Sequence, residues 1–154
     1  MSGEVLVGLF NLNKTLALTD HFLGYAYQRR YLEKKYRGPE TAGQLWDRKD
    51  LKESNYPVGT QITDHFEVIS HTDDSIIVRC GDSPRNIEPR PSDGLFEMRA
   101  DIKKSEGVAE FQLKSVFYQG LGKSEGPPMP WHVEMLHRWY AKLWMETSVR
   151  TLTR

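Results

Sequence analysis

One cysteine, Cys80, is all the chain carries of that residue in 154 positions. A lone thiol closes no intrachain disulfide, so the fold must rest on its core and needs no oxidising compartment. An excess of charge is missing as well: 21 lysines and arginines offset 21 aspartates and glutamates. Without a basic surplus nothing points to nucleic acid, and no field of one sign would steer a highly charged polymer to the surface. Long apolar runs are absent, none nearing the roughly 18 residues that suggest a membrane span. The opening stretch MSGEVLVGLFNLNK has neither a basic residue ahead of its apolar run nor a small-residue cleavage pattern. No signal peptide is read there, and the expected location is the cytoplasm.

The common catalytic signatures are lacking too. There is no Gly-rich phosphate loop, no Cys-x-x-Cys, no His-Glu-x-x-His and no Gly-x-Ser-x-Gly. His132 and His137 are five residues apart, which separates them by well over about 100° on a helix, too far for a shared metal. The expectation is no metal and no cofactor. Repeats and low-complexity segments are missing, and the length fits one domain over residues 1–154. A domain of this size buries about two-thirds of its unfolded surface, enough for a real core.

What is present falls into an order. Residues 4–12 (EVLVGLFNL) are apolar and β-branched and read as a strand or an extended arm. Residues 13–36 read as a helix, most clearly from Thr19 or Asp20, both good N-cap types. Phe22, Tyr25, Ala26, Leu32 and Tyr36 share one side of it, and Leu23, Tyr27 and Tyr31 a second, aromatic side. Its basic end, from Arg29 to Arg37, suits the negative end of the helix dipole before Gly38-Pro39 stops it. Such charges are ordinarily solvated. Residues 39–50 fit a short second helix with Leu45 and Trp46 inward, and residues 50–57 a polar turn.

Four alternating segments follow. Residues 61–69 put Ile62, Asp64, Phe66 and Val68 on one face and His65 on the other. Residues 75–80 align Ile76, Val78 and Cys80. Residues 94–102 align Phe96, Met98, Ala100 and Ile102, and residues 108–119 align Ala109, Phe111, Leu113, Ser115 and Phe117. This alternation marks an antiparallel sheet with one face covered and one wet. Residues 81–94 (GDSPRNIEPRPSDG), with three prolines, fit no regular element and form a long connection of a kind that is often functional.

Residues 130–152 read as one long amphipathic helix, with Pro130 suited to its first turn. At about 100° per residue, Val133, Leu136, His137, Tyr140, Leu143, Trp144 and Thr147 share a broad face, roughly opposite Glu134, Arg138, Lys142 and Glu146. So aromatic a stripe needs a large partner surface. The fold class is therefore α+β, a curved antiparallel sheet packed on a long C-terminal helix.

Five strings carry a resemblance. Val58-Gly59-Thr60 opens a strand, and Val78-Arg79-Cys80-Gly81-Asp82 closes a strand pair. Asp93-Gly94-Leu95-Phe96-Glu97 and Phe117-Tyr118-Gln119-Gly120 belong to the later strands, and a helix begins near Pro130-Trp131-His132. Over residues 57–152 this pattern resembles the START-related, polyketide-cyclase-like superfamily with its helix-grip fold. The resemblance implies a curved sheet gripping the C-terminal helix with an apolar cavity between them. Members bind lipids, sterols, polyketides or plant hormones, and some catalyse cyclisation, dehydration or aromatisation. They share no universal catalytic residue to carry over.

Two residues are candidates for proton transfer. Asp64 lies on the apolar face of its strand between Ile62 and Phe66, where a carboxylate facing a cavity would have a raised pKa. The plainer reading is a twist or bulge that leaves it at the rim, bonded to a backbone amide. His137 sits at the edge of the apolar helix face and, facing the same cavity, would exchange protons near neutral pH; the plainer reading is a core-edge histidine. Phe66, Phe96, Met98, Phe111, Phe117, Tyr140 and Trp144 point to the proposed interior, as an ordinary core or as the lining of a flat apolar ligand. Arg79, Arg85 and Arg90 either grip an anion at the mouth or are solvated, and Cys80 is a small buried hydrophobe. The expected partner is a small apolar molecule, held with or without a cofactor-free cyclisation, dehydration or isomerisation. The rival is a filled-core interaction protein, a homodimer through Leu23, Tyr27, Tyr31 and the N-terminal arm.

Overall fold

The computed structural model describes residues 23–90, 92–122, 126–127 and 129–152. The strand or arm expected over residues 4–12 and the Thr19 or Asp20 cap lie outside the described residues, as do Phe22 and the side chains of Leu23, Tyr25, Ala26 and Tyr27.

Helix α1 (Leu23–Tyr36) carries Lys34 and Lys35 in its last turn, where the dipole favours them. Beyond it, Arg37 pairs with Glu33 and, at 2.8 Å, with Asp47. The helix expected over residues 39–50 does not form. A single 3-10 turn, Pro39–Thr41, runs into a turn at residues 42–43, after which Leu45 bridges Ile62 in parallel fashion. The Leu45 amide donates to the Gln61 carbonyl at 2.9 Å, and the Thr63 amide to the Leu45 carbonyl at 3.1 Å. Sheet-type pairing thus overrides local helical preference. Helix α2 (Arg48–Glu53) then takes over part of the expected polar turn. Its N-cap is Asp47, whose carboxylate is engaged by Arg37 rather than by the helix amides. Trp46 and Leu51 are buried, as their apolar character requires.

The sheet is an antiparallel meander in chain order: β1 (Gln61–Ile62), β2 (Phe66–His71), β3 (Ser75–Cys80), β4 (Ser92–Lys103) and β5 (Val108–Gln119). The β4–β5 hairpin keeps unbroken register from Ser92 opposite Gln119 to Lys103 opposite Val108. A register shift between Val68 and Ser70 puts a bulge in β2, which bends the strand and helps curve the sheet. Alternation predicted the inward faces of the later strands correctly. Val68, Ile76 and Val78 are fully buried and Met98 nearly so, packed with Ile62, Leu51 and Tyr56. The Tyr56 hydroxyl donates to the Leu51 carbonyl, which ties the chain after α2 under the sheet.

The segment 61–69 is not one strand. Thr63 and Asp64 adopt φ of 50° and 51° and, with His65, form a three-residue turn between β1 and β2. The left-handed region is unfavourable for a β-branched threonine and more tolerable for aspartate. The hydrogen bonds around Asp64, described below, hold the chain there.

Helix α3 (Trp131–Leu152) begins just after Pro130, whose carbonyl accepts from the Val133 and Glu134 amides at 3.0 Å each. It packs against β5, the strand at the sheet's edge. The face it buries is narrower than its sequence stripe. Tyr140 and Trp144 turn inward with His137 and Ala141, whereas Leu136, Leu143 and Val133 stay 63%, 46% and 41% exposed. A helix resting along one edge strand covers only the arc that meets that strand.

Candidate functional site

A cavity of about 240 Å³ lies between the sheet and α3. Its floor comes from alternate residues of the strands: Val78 and Cys80 of β3, Phe96 of β4, and Leu113, Ser115 and Phe117 of β5. His137, Tyr140, Ala141 and Trp144 form the roof at the i, i+3, i+4, i+7 spacing of one helix face. Leu51, Tyr56 and Ile62 close the inner end. Ring contacts run across this wall. Phe66 meets Phe96 edge-on at 6.0 Å, Phe96 meets Trp144 at 5.7 Å, and Phe117 meets His137 at 4.8 Å. Edge-to-face geometry is favourable for such pairs and fixes the orientation of each ring.

Of the residues expected to line the interior, Phe66, Phe96, Phe117, Tyr140 and Trp144 do so, and so does His137. Met98 does not: it is packed in the core with Val68, Ile76 and Val78. Phe111 does not either, since it pairs with Ala100 further along the hairpin, toward its turn.

Asp64 is displaced from the cavity that its strand pattern predicted for it. The turn at residues 63–65 rotates it toward the 81–90 loop, where its carboxylate is buried. One oxygen accepts from Gln44 Nε2 (3.0 Å), Ser83 Oγ (2.9 Å) and Arg85 Nε (2.9 Å), and the other from Arg85 at 2.8 Å. The Asp64 amide in turn donates to Gln44 Oε1 at 2.6 Å. Burial alone would raise its pKa, but the bonds from Arg85, Gln44 and Ser83 outweigh burial and hold it below the ordinary 3.8. The predicted upward shift is therefore reversed, and the structure does not bring Asp64 and His137 together at one site.

The same turn re-aims His65, which the alternation had placed on the far face, so that it lines the cavity. Burial pushes its pKa below 6.5, opposed by the nearby Asp82 carboxylate. Burial also lowers His137, so both imidazoles are neutral at neutral pH. His137 Nε2 is buried without a hydrogen-bond partner among the described residues. The Tyr140 hydroxyl is shifted upward by burial. The Cys80 thiol is pushed up to about 11, first by burial and then by the Asp93 charge, and so stays protonated and a poor nucleophile.

The three arginines near the long connection are engaged by the protein itself. Arg85 holds Asp64 and reaches Glu40 at 2.8 Å. Arg79 Nε donates to Asp93 at 2.8 Å. Arg90 is 2% exposed, and its guanidinium donates to the carbonyls of Ser83 (2.8 Å) and Asn86 (3.3 Å) and pairs with Asp93. The 81–90 loop is thus closed on itself and latched to the β1–β2 turn. A second hollow, between α1 and residues 81–83, shares Gln28, His65 and Gly81 with the cavity. Gly81 has φ of +114°, a conformation glycine takes at little cost.

Among the described residues no three His, Cys, Asp or Glu side chains are grouped to hold a metal ion, and no helix is long and apolar enough to cross a membrane. Fold and site together define an α+β architecture in which a meander sheet and a C-terminal helix enclose an apolar cavity with a few neutral polar groups on its wall. No protein-family model matches the chain, and neither a curated protein nor a solved structure matches it.

Proposed function

We propose that the protein binds a small, mainly apolar molecule, polyketide- or lipid-like in character, between the sheet and α3. On this reading the chain is a START-related, helix-grip protein acting in the cytoplasm. The observation that carries it is the cavity of about 240 Å³, whose lining holds no Asp, Glu, Lys or Arg among the described residues. A dry apolar cavity of about 150 Å³ already accepts benzene, so this volume favours a somewhat larger guest. Native mass spectrometry of freshly purified protein, compared with its denatured mass, tests the proposal. A retained small molecule that leaves on denaturation is the expected result. Neither an adduct nor a thermal shift against a panel of flat polyketides and sterols would end it. Ala141→Phe, which adds a ring to the roof, is expected to abolish any such shift while the protein stays folded.

A second reading is favoured by His65 and His137 lining one cavity. A neutral imidazole can take up and return a proton, and orientation of a bound molecule supplies several kcal/mol of a barrier, out of about 7–11 in favourable cases. The bound molecule would then undergo a cofactor-free isomerisation, dehydration or cyclisation. Turnover of an identified ligand that is unchanged in both His65→Asn and His137→Asn would leave a binding protein only.

A further inference from the structure

We propose that two copies of this chain join edge to edge through β5, antiparallel about a two-fold axis at Gln112, so that their sheets become one. This joint does not depend on what the cavity holds. Among the described residues β5 pairs with β4 alone, so the N–H and C=O groups along its other side meet no strand there. Natural sheet edges are usually blunted by a proline, a bulge or shortness. Strand β5 has none of these. It contains no proline, keeps register with β4 throughout and runs for 12 residues, about twice the common strand length. Leu113, Ser115 and Phe117 face the cavity, so Val108, Glu110, Gln112, Lys114 and Val116 share the outer face. All of these but Glu110 are exposed, and Glu110 is half-buried.

The side chains select both the occupant and the register. When a strand pairs with its own copy about a two-fold axis, opposite residues lie on the same face and each contact occurs twice. An axis at Gln112 sets Glu110 opposite Lys114 and Val108 opposite Val116, with Gln112 opposite its own mate. On the inner face Phe111 meets Leu113. The seam from Val108 to Val116 is about 27 Å long. Moving the axis by one residue leaves both charges opposite neutral side chains. Moving it by two sets Lys114 against Lys114 or Glu110 against Glu110, which is destabilising. Lys114 has no hydrogen-bond or ion-pair partner among the described residues. Glu110 accepts from Lys103 at 2.6 Å and from Gln112 at 2.9 Å, and a carboxylate has acceptor sites left for one more donor. Residues 4–12 (EVLVGLFNL) carry no cation for Glu110, so they match this edge less well than a second copy does. An axis normal to the joined sheet also sets both α3 helices on one face of it, each with exposed Leu136 and Leu143 as apolar surface for the joint to cover.

The test is sedimentation of the full chain across a range of concentration, where a reversible dimer is expected. Lys114→Glu sets like charges opposite each other twice and is expected to weaken the dimer about tenfold or more. Glu110→Lys is expected to do the same, and the two exchanges together to restore it. Within one chain these positions lie about 13 Å apart along the strand, so the rescue reports contact between copies. Gln112→Cys is expected to give a disulfide-linked dimer on mild oxidation, because opposite Cα atoms stand about 4.5–5.5 Å apart, within disulfide reach. Lys114→Cys is out of reach of its own mate and is expected to stay unlinked, as is the parent, whose one thiol, Cys80, lines the cavity. A strict monomer at every concentration would overturn the proposal, and hydrogen exchange showing every β5 amide protected in that monomer would assign the edge to residues 4–12. A dimer that both charge reversals leave intact and that Gln112→Cys does not link would overturn it as well, by setting the contact elsewhere.

Discussion

The Asp64 carboxylate accepts hydrogen bonds from Gln44, from Ser83 and twice from Arg85, while its backbone sits at φ of 51°. Charge, hydrogen bonding and backbone conformation therefore all bear on one residue. Asp64→Ala takes the buried acceptor away from Gln44, Ser83 and Arg85 and puts a less suitable residue at positive φ, for an expected loss of about 2–3 kcal/mol. Asp64→Asn keeps an acceptor and the tolerance for that backbone, and is expected to lose clearly less. Urea unfolding of the two variants beside the parent measures the difference. The pH dependence follows from named residues. His65 and His137 have folded pKa values below the ordinary 6.5, so the unfolded chain gains protons first and stability declines as pH falls below about 6.5. Asp64 and Asp93 are held below 3.8. Their contribution is complete above that value and is lost as pH falls through their lowered folded values. A decline in two stages is expected in denaturation midpoints recorded from neutral to acid pH, and His137→Phe should shrink the upper stage alone.

Elements made by short-range pattern were legible in the sequence. Strand β3 over residues 75–80, strand β5 over 108–119 and the helix from 131 to 152 follow from periods of two and 3.6, and the structure has them there. Contacts between distant residues decided the rest. Nothing within residues 61–69 announces that Gln44 and Arg85, far off in the chain, hold residue 64 in a turn, so alternation alone supports a straight strand with His65 on its outer face. The arginines of the 81–90 loop were illegible for the same reason, since their partners are carbonyls and carboxylates that only the folded loop gathers. Gly120 illustrates this dependence. A Cβ built there would lie 2.3 Å from the Arg90 carbonyl oxygen, so the end of β5 meets the base of the loop with no room for a side chain. Gly120→Ala is expected to destabilise by about 2 kcal/mol through this overlap. Gly43→Ala, where a Cβ meets nothing within 4 Å, should stay within about 0.5 kcal/mol. Thermal unfolding of the two glycine variants side by side makes the comparison.

At the scale of the whole molecule, α3 turns two unlike apolar surfaces in different directions. Trp144, Tyr140 and His137 look into the cavity, while Leu136, Trp139 and Leu143 remain 63%, 66% and 46% exposed. Trp144→Ala removes ring contacts with Phe96 and Tyr140 and is expected to lower the unfolding free energy by about 2 kcal/mol, below the range for a fully enclosed tryptophan because one side already faces open volume. Trp139→Lys touches none of that packing and should change stability by less than about 0.5 kcal/mol in the same denaturant series.

The meander itself has a kinetic consequence. Each strand pairs with its neighbours in chain order, so every loop closure but that of residues 81–91 is short and topology favours rapid folding. The β4–β5 hairpin can zip outward from the turn at residues 104–107, on the scale of about 1–10 μs for an elementary hairpin. Helix α3 comes after all five strands and must swing back across the sheet before the roof exists. The chamber is thus created only when the last element docks, and earlier assemblies have floor without ceiling. A guest of the kind proposed above, needing both walls, would recognise the finished molecule alone and draw the chain toward completion by mass action.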